Sequence, residues 1–308
     1  LKWRPQGISG ITNRKNKEYM ITTWYGREQE DYDDRGVRIS LIDVTDIEIV
    51  SNSSYQSTST SNSNSNSLLY RHILLVDEDF NTFPGLHGGG VVFEGDMIHV
   101  PDSRSGTKKI YTFSINDIYY IEPEDRSQFY NYVYIMPRIG SYDVPITPSF
   151  LSWDSNKQQI LLGTFYQCES TDSIHTDTID CLTNTNNRLI WYSIGEIDSN
   201  SEYCAPFYSE MQGAASGNYP KPNDISGTSQ DILWTTSSYG SSHPSHIHIN
   251  TLPTDLNCDM NTGAPIDTTN ETNTRTLEYP PGLEDMYIPP LSSQTHDYIW
   301  IITEFGIN

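Results

Sequence analysis

The stretch His87-Gly88-Gly89-Gly90-Val91-Val92, followed by Met97–Asp102, carries the pattern that decides the fold. A small-residue or glycine-containing apolar run is followed by a turn and then by a second apolar run that ends in a polar or aromatic cluster. Such pairs of runs occur five times, 62 to 81 residues apart, with key positions at Gln6, His87, Ser149, Gln212 and Glu284. A repeat of this length, built from short strands, is typical of a β-propeller. The sequence therefore predicts an all-β, five-bladed β-propeller with long polar loop insertions.

Alternation of apolar and polar residues predicts the outer strands of the blades, among them Tyr70–Val76 and residues 130–136. We expect one domain over residues 1–308, with approximate blades 1–76, 77–140, 141–205, 206–276 and 277–308, the last of them incomplete. The insertions include a low-complexity Ser/Asn/Thr loop over 51–67 and a polar loop over 214–229.

The charge balance narrows the choice of partners. The 308 residues include Lys+Arg 18 and Asp+Glu 40, which gives a net charge of −22. A field of this sign repels phosphate backbones and anionic lipid, so nucleic acid is excluded as the expected partner. No stretch approaches the roughly 18 apolar residues of a membrane-spanning helix, so we expect no membrane span.

Cysteine and asparagine patterns favour a secreted, extracellular protein. The chain has Cys168, Cys181, Cys204 and Cys258, an even number without CxxC spacing, which favours disulfides over a zinc site. We expect the bridges Cys168–Cys181 and Cys204–Cys258. Two sequons predict N-glycosylation, at Asn52 and Asn270.

The strand phrases also resemble those of a family of secreted, functionally uncharacterised bacterial and fungal proteins that look like five-bladed β-propellers. The resemblance implies the fold and secretion, and it carries no activity. It runs in order along nearly the whole chain, through residues 2–8, Val37–Asp43, Tyr70–Val76, 87–89, 211–214, 282–285 and 303–305.

In a propeller, the innermost strands begin at one central mouth, where the second strands of the blades end. This topology predicts one ligand-binding site from distant segments, with these candidate residues: Gln6, Tyr25, His87, Asp102, Arg104, Tyr166, Gln212, Tyr239, Glu284, Asp285 and Glu304. The glycines after His87 would let the backbone approach closely where a side chain would clash.

The same mouth offers two kinds of chemistry. Oxygen ligands from Asp102, Glu284 and Asp285 could hold calcium; the alternative is that these groups bond strand ends and water in a wet channel. For catalysis, a glycosidase needs two carboxyl groups about 5–10 Å apart, and Glu284, Glu304 and Asp102 are the candidates by position. A hydrolase or lyase at the mouth would use Glu284 or Asp285 with His87.

Two further features remain open. His246 and His248 would share one face of a strand with metal-ligand spacing, but an exposed edge strand is the favoured interpretation. The 21 tyrosines include Tyr130, Tyr132 and Tyr134, which suit either gaps between blades or stacking on sugars.

We therefore predict an extracellular binding or interaction propeller whose ligand is a glycan or cell-surface polymer. The alternatives are a glycan hydrolase or lyase acting at the mouth, and a structural subunit. That subunit would pair with copies of itself, as an oligomer or filament, through an open fifth blade.

Overall fold

The structure of the protein is a computed structural model. It describes residues 2–14, 17–27, 36–45, 69–104, 106–154, 157–165, 189–193, 211–220, 229–238, 244–251, 275–279, 281–289 and 299–303. The predicted all-β class is confirmed, because these residues form strands with one short 3₁₀ helix and no α-helix. The described part of the chain contains no helical segment with the length and apolar character that a membrane crossing requires.

The first sheet is an antiparallel meander of four strands, each paired with the next. Its strands are β1 (Lys2–Arg14), β2 (Lys17–Arg27), β3 (Val37–Asp43) and β4 (Tyr70–Val76). The register places Trp24 opposite Arg38 and Arg38 opposite Leu74, while Ser40 lies opposite His72. Because side chains alternate between the two faces of a strand, this register assigns every residue of the sheet to one face.

The second sheet comprises β5 (Val92–Glu94), β6 (Met97–Asp102), β7 (Lys109–Ser114), β8 (Tyr119–Tyr120) and β9 (Tyr134–Asp143). Strands β5, β6, β7 and β9 pair antiparallel in that order, and β8 pairs with the beginning of β9. The beginning of β9 also pairs in parallel with the end of β4, from Leu74 to Val76. This parallel pairing joins the first two sheets at their outer strands into one nine-stranded sheet.

The remaining strands form three smaller antiparallel sheets. The third sheet contains β10 (Phe150–Asp154), β11 (Gln159–Gly163) and β12 (Leu189–Tyr192). The fourth contains β13 (Met211–Pro220), β14 (Ser229–Ser237), β15 (Ser245–Thr251) and β16 (Arg275–Tyr279). The fifth contains β17 (Leu283–Tyr287) and β18 (Trp300–Thr303).

The first strand of each sheet contacts the first strands of at least two other sheets. Strand β1 contacts β17 and β5, β10 contacts β5 and β13, and β13 contacts β17. These contacts form a closed circuit, and we call β1, β5, β10, β13 and β17 the inner strands. The circuit requires very close backbone approach: a Cβ at Gly90 would overlap the main chain of Leu151, and one at Gly213 would lie 2.6 Å from Cα of Asp285.

Apolar cores fill the spaces between neighbouring sheets around the same circuit. The core between the first and second sheets is built on residues such as Ile39, Ile73 and Phe113. Separate cores join the second to the third, the third to the fourth, the fourth to the fifth and the fifth to the first sheet. Each sheet is therefore covered on both faces near the inner strands, which explains why the inner segments contain few exposed residues.

Three local predictions need correction. The strand predicted over 130–136 begins only at Tyr134, because Arg126–Phe129 forms the 3₁₀ helix and Tyr130 and Asn131 have left-handed φ angles of 49° and 66°. The loop predicted over 214–229 is strand as far as Pro220, since its small residues pack between inner strands.

The third correction concerns the histidine pair. Strand β15, which carries His246 and His248, is not an edge strand, because it is paired on both sides. The ring of His248 is buried, lies within hydrogen-bonding distance of Ser237 Oγ (2.9 Å) and Thr276 Oγ1 (3.2 Å), and has its pKa lowered to about 3 by burial. This environment indicates a structural, uncharged histidine.

Candidate ligand-binding groove

Four of the polar residues predicted for the central mouth, Gln6, Gln212, Glu284 and Asp285, lie on inner strands. The carboxylate of Asp285 is fully buried, and its two oxygens accept hydrogen bonds from the main-chain N–H groups of Ile8 (3.0 Å) and Met286 (2.8 Å). Burial raises the pKa of Asp285 well above its usual range. The side chain thus links β17 to β1, and it presents no surface to a ligand.

Glu284 and Gln6 are also buried. The hydroxyl of Thr236 donates to the main-chain oxygen of Glu284 at 2.5 Å, and the amide of Gln6 donates to the main-chain oxygen of Pro5 at 2.8 Å. Gln212, the corresponding residue of β13, is half-buried. The main-chain oxygen of Glu284 thus joins β17 to β14, whereas the Gln6 amide is bonded within its own strand.

Two predicted mouth residues, Tyr25 and His87, are brought together. Their rings stack with centroids 4.7 Å apart and planes inclined by 21°. His87 is exposed, whereas the three glycines after it are buried, and Thr23 Oγ1 donates to the main-chain oxygen of Gly88 at 2.6 Å. The predicted role of these glycines in close backbone approach is confirmed, because side chains at Gly89 and Gly90 would overlap Ser149 and Leu151.

Asp102 and Arg104 form a separate ion pair at the end of β6. Asp102 accepts from Arg104 Nε at 2.9 Å and Nη2 at 2.6 Å, and from the Tyr111 hydroxyl at 2.7 Å. Although burial raises the pKa of Asp102, the hydrogen bonds from Arg104 and Tyr111 outweigh it and leave that pKa lowered. The Asp102 oxygens are thus used within the fold.

The metal prediction finds no support in the described part of the chain, where no group of three or more His, Cys, Asp or Glu side chains could hold a metal ion. Several predicted residues lie outside the described residues: Tyr166, Tyr239, Glu304, Cys168, Cys181, Cys204, Cys258, Asn52 and Asn270, together with the loop 51–67. Their roles stay predictions.

A different site is formed on the outer part of the first sheet. A cavity of ≈ 790 Å³ lies between the first sheet and the segment that precedes β9. We call it the aromatic groove, and its lining consists of Trp3, Arg38, Leu69, Tyr70, Arg71, His72, Tyr130, Asn131, Tyr132, Val133 and Tyr134. The volume lies within the range of about 300–1,000 Å³ that is usual for small-molecule sites.

The strand register explains how the groove forms. Arg38 and Ser40 flank Ile39, which faces the core between the first two sheets, so both project from the opposite face. His72 pairs with Ser40 and shares that face. At the edge, Trp3 lies opposite Gly26, where a Cβ would come within 3.3 Å of the indole.

Arg38 occupies the centre of the groove's polar surface. Its guanidinium carbon lies 4.4 Å from the ring centroid of Trp3 and 5.4 Å from that of Trp24, which are cation–π distances. Nη1 donates to the Tyr132 hydroxyl at 3.1 Å. Nε is buried without a hydrogen-bond partner among the described residues. Aromatic rings therefore hold the guanidinium in place while leaving much of its donor capacity unused.

His72 lies beside this cation. Its Nδ1 is 2.8 Å from Ser40 Oγ, and its ring centroid is 5.0 Å from that of Tyr70. Burial and, secondarily, the positive charge of Arg38 lower the pKa of His72 from its usual value, which favours the uncharged imidazole. Arg38 and Arg71 are the cationic residues of the groove's described lining, and no described lining residue is acidic.

Sequence reasoning identified only part of the groove. The sequence pattern makes Tyr130, Tyr132 and Tyr134 candidates for sugar stacking. It places all three on one strand, whereas the strand in the structure begins at Tyr134. Trp3, Arg38, Tyr70 and His72 were missed, because no local motif joins them and only the register of the first sheet brings them together.

No protein-family model matches the chain, and no curated protein sequence matches it either. The family resemblance of the strand phrases therefore stays a prediction.

Proposed function

We propose that this chain is a five-bladed β-propeller that acts outside the cell as a glycan-binding protein, with the aromatic groove as its binding site. The propeller is supported by the closed circuit of inner strands and by the apolar cores that follow the same circuit. Secretion is supported by the cysteine count and the two sequons.

The observation that carries the binding proposal is the groove's combination of flat rings and fixed donors. Trp3, Tyr70 and Tyr132 lie around Arg38 on one side of a sheet. Aromatic faces stack on the apolar faces of sugar rings, and hydroxyl and guanidinium groups bond the sugar oxygens at the ring edge. Tyr70 is 51% exposed, so its ring is accessible to a ligand without rearrangement of the core.

Binding to a glycan array, followed by titration calorimetry on the strongest ligand, tests this proposal. We expect Tyr70→Ala to weaken binding by about 10-fold, which corresponds to about 1.4 kcal/mol, because a stacking face is lost. The matched control is Tyr119→Ala, since Tyr119 is similarly exposed (47%) but lies outside the groove. Equal affinities for the two variants, or no glycan bound at all, would contradict the proposal.

A further inference from the structure

The groove's charge is opposite to that of the chain as a whole. The chain has 40 acidic and 18 basic residues, yet the described lining of the groove includes Arg38, Arg71 and His72 and no carboxylate. A cationic site on a strongly anionic protein favours a ligand whose negative charge is localised, because the overall field repels a densely charged polymer.

From this contrast, and building on the proposed glycan-binding function, we infer that the groove recognises a saccharide that carries an isolated carboxylate, such as one uronic acid unit in an otherwise neutral chain. The carboxylate would lie at Arg38, and the neutral sugars would stack on the neighbouring rings.

The geometry of Arg38 supports a carboxylate as the recognised group. The guanidinium offers planar pairs of N–H donors that match a carboxylate bidentately. Nη1 is the position bonded to Tyr132, whereas Nε is buried and lacks a partner among the described residues. A buried donor without a partner is destabilising, and an acceptor from the ligand that reaches it would remove that penalty.

The surroundings of Arg38 argue against a purely structural role for its charge. No described carboxylate pairs with Arg38 or Arg71, whereas Arg104 and Arg138 each form an ion pair with an acidic side chain. Tyr132 and Trp3 hold the guanidinium by a hydrogen bond and a cation–π contact, which fix its orientation and leave its charge unneutralised. The ligand would supply the missing negative charge.

The test uses a panel of tetrasaccharides, each with one uronic acid and each also prepared with that carboxyl group reduced to the neutral alcohol. Binding is measured by calorimetry with the whole chain at 20 and 300 mM NaCl. We expect the acidic form to bind at least 10-fold more tightly than its reduced form, and this preference to shrink at high salt. Arg38→Gln should abolish the preference while retaining weak binding of the reduced form.

Two outcomes separate the inference from the proposed function. Equal, Tyr70-dependent binding of the acidic and reduced forms would overturn the carboxylate inference and leave glycan binding intact. No binding of any saccharide would overturn both. If Arg38→Gln does not fold, the salt dependence of binding and the ratio of affinities for the acidic and reduced forms, both measured on the unmodified protein, still decide the question. Arg71→Gln then serves as a second variant that removes a positive charge, at an exposed position of the groove lining.

Discussion

The inner strands and the aromatic groove both contain polar side chains, but they use them differently. At the inner strands, Asp285 bonds two main-chain N–H groups, and Thr23 and Thr236 bond main-chain oxygens of neighbouring segments. In the groove, Arg38 has a buried donor without a partner among the described residues, and Tyr70 is half exposed. The comparison teaches that polar residues on the inner strands serve assembly, whereas the groove keeps a donor and a ring face that the fold itself does not use.

The strongest test of this contrast is a substitution that introduces a side chain where two inner strands are in contact. Gly90→Ala places a Cβ onto the main chain of Leu151, and backbone cannot move aside as a flexible side chain can. We expect a loss of at least about 3 kcal/mol in the free energy of unfolding, measured by urea denaturation. The control, Gly140→Ala, adds a Cβ that meets nothing within 4 Å, so a similar loss there would refute the close-contact account.

Removing the carboxylate that joins β17 to β1 should have the next largest effect. Asp285→Ala leaves two main-chain N–H groups without their acceptor, and we expect a loss of about 2–3 kcal/mol in stability. Asp143→Ala removes an exposed carboxylate paired with Lys109, for which about 1 kcal/mol or less is expected. Urea denaturation of both variants, with glycan affinity measured on the folded protein, compares the two regions. If Asp285→Ala kept its stability and lost glycan binding, Asp285 would have a binding role and not the structural role proposed for it.

The smallest expected effect is the pH dependence of binding in the groove. Burial lowers the pKa of His72 from its usual value, so the side chain gains its proton at a lower pH than an ordinary histidine does. That proton adds a positive charge next to Arg38, so affinity for a uronate saccharide should rise by about 2- to 5-fold as the pH is lowered and His72 becomes protonated. His72→Gln keeps a polar partner for Ser40 without titrating, and its affinity should stay flat. A rise of the same size in that variant would exclude His72 as the cause.

The inner strands could be predicted from the sequence because their signals are local. The recurring glycine-containing runs mark where backbones must approach, and the contacts at Gly90 and Gly213 agree with that expectation. The chemical role of the polar positions could not be predicted, since burial decides whether Asp285 faces a ligand or a main-chain N–H group.

The groove could not be predicted for a different physical reason. Its parts come from β1, β3, β4 and the segment before β9, and their meeting depends on strand register and on the parallel pairing of β4 with β9. A shift of one residue would turn Arg38 towards the core and Ile39 towards the groove. The tyrosine-rich segment can be recognised in the sequence. Its backbone conformation cannot, because Tyr130 and Asn131 have left-handed φ angles, whereas alternating polar and apolar residues predict a regular strand.

The most direct test of the central claim is a crystal structure of the protein with a bound uronate tetrasaccharide. We expect sugar density against Tyr70 and Trp3, with the carboxylate within hydrogen-bonding distance of Arg38. Sugar density at the inner strands beside His87 and Tyr25, with the aromatic groove empty, would contradict it.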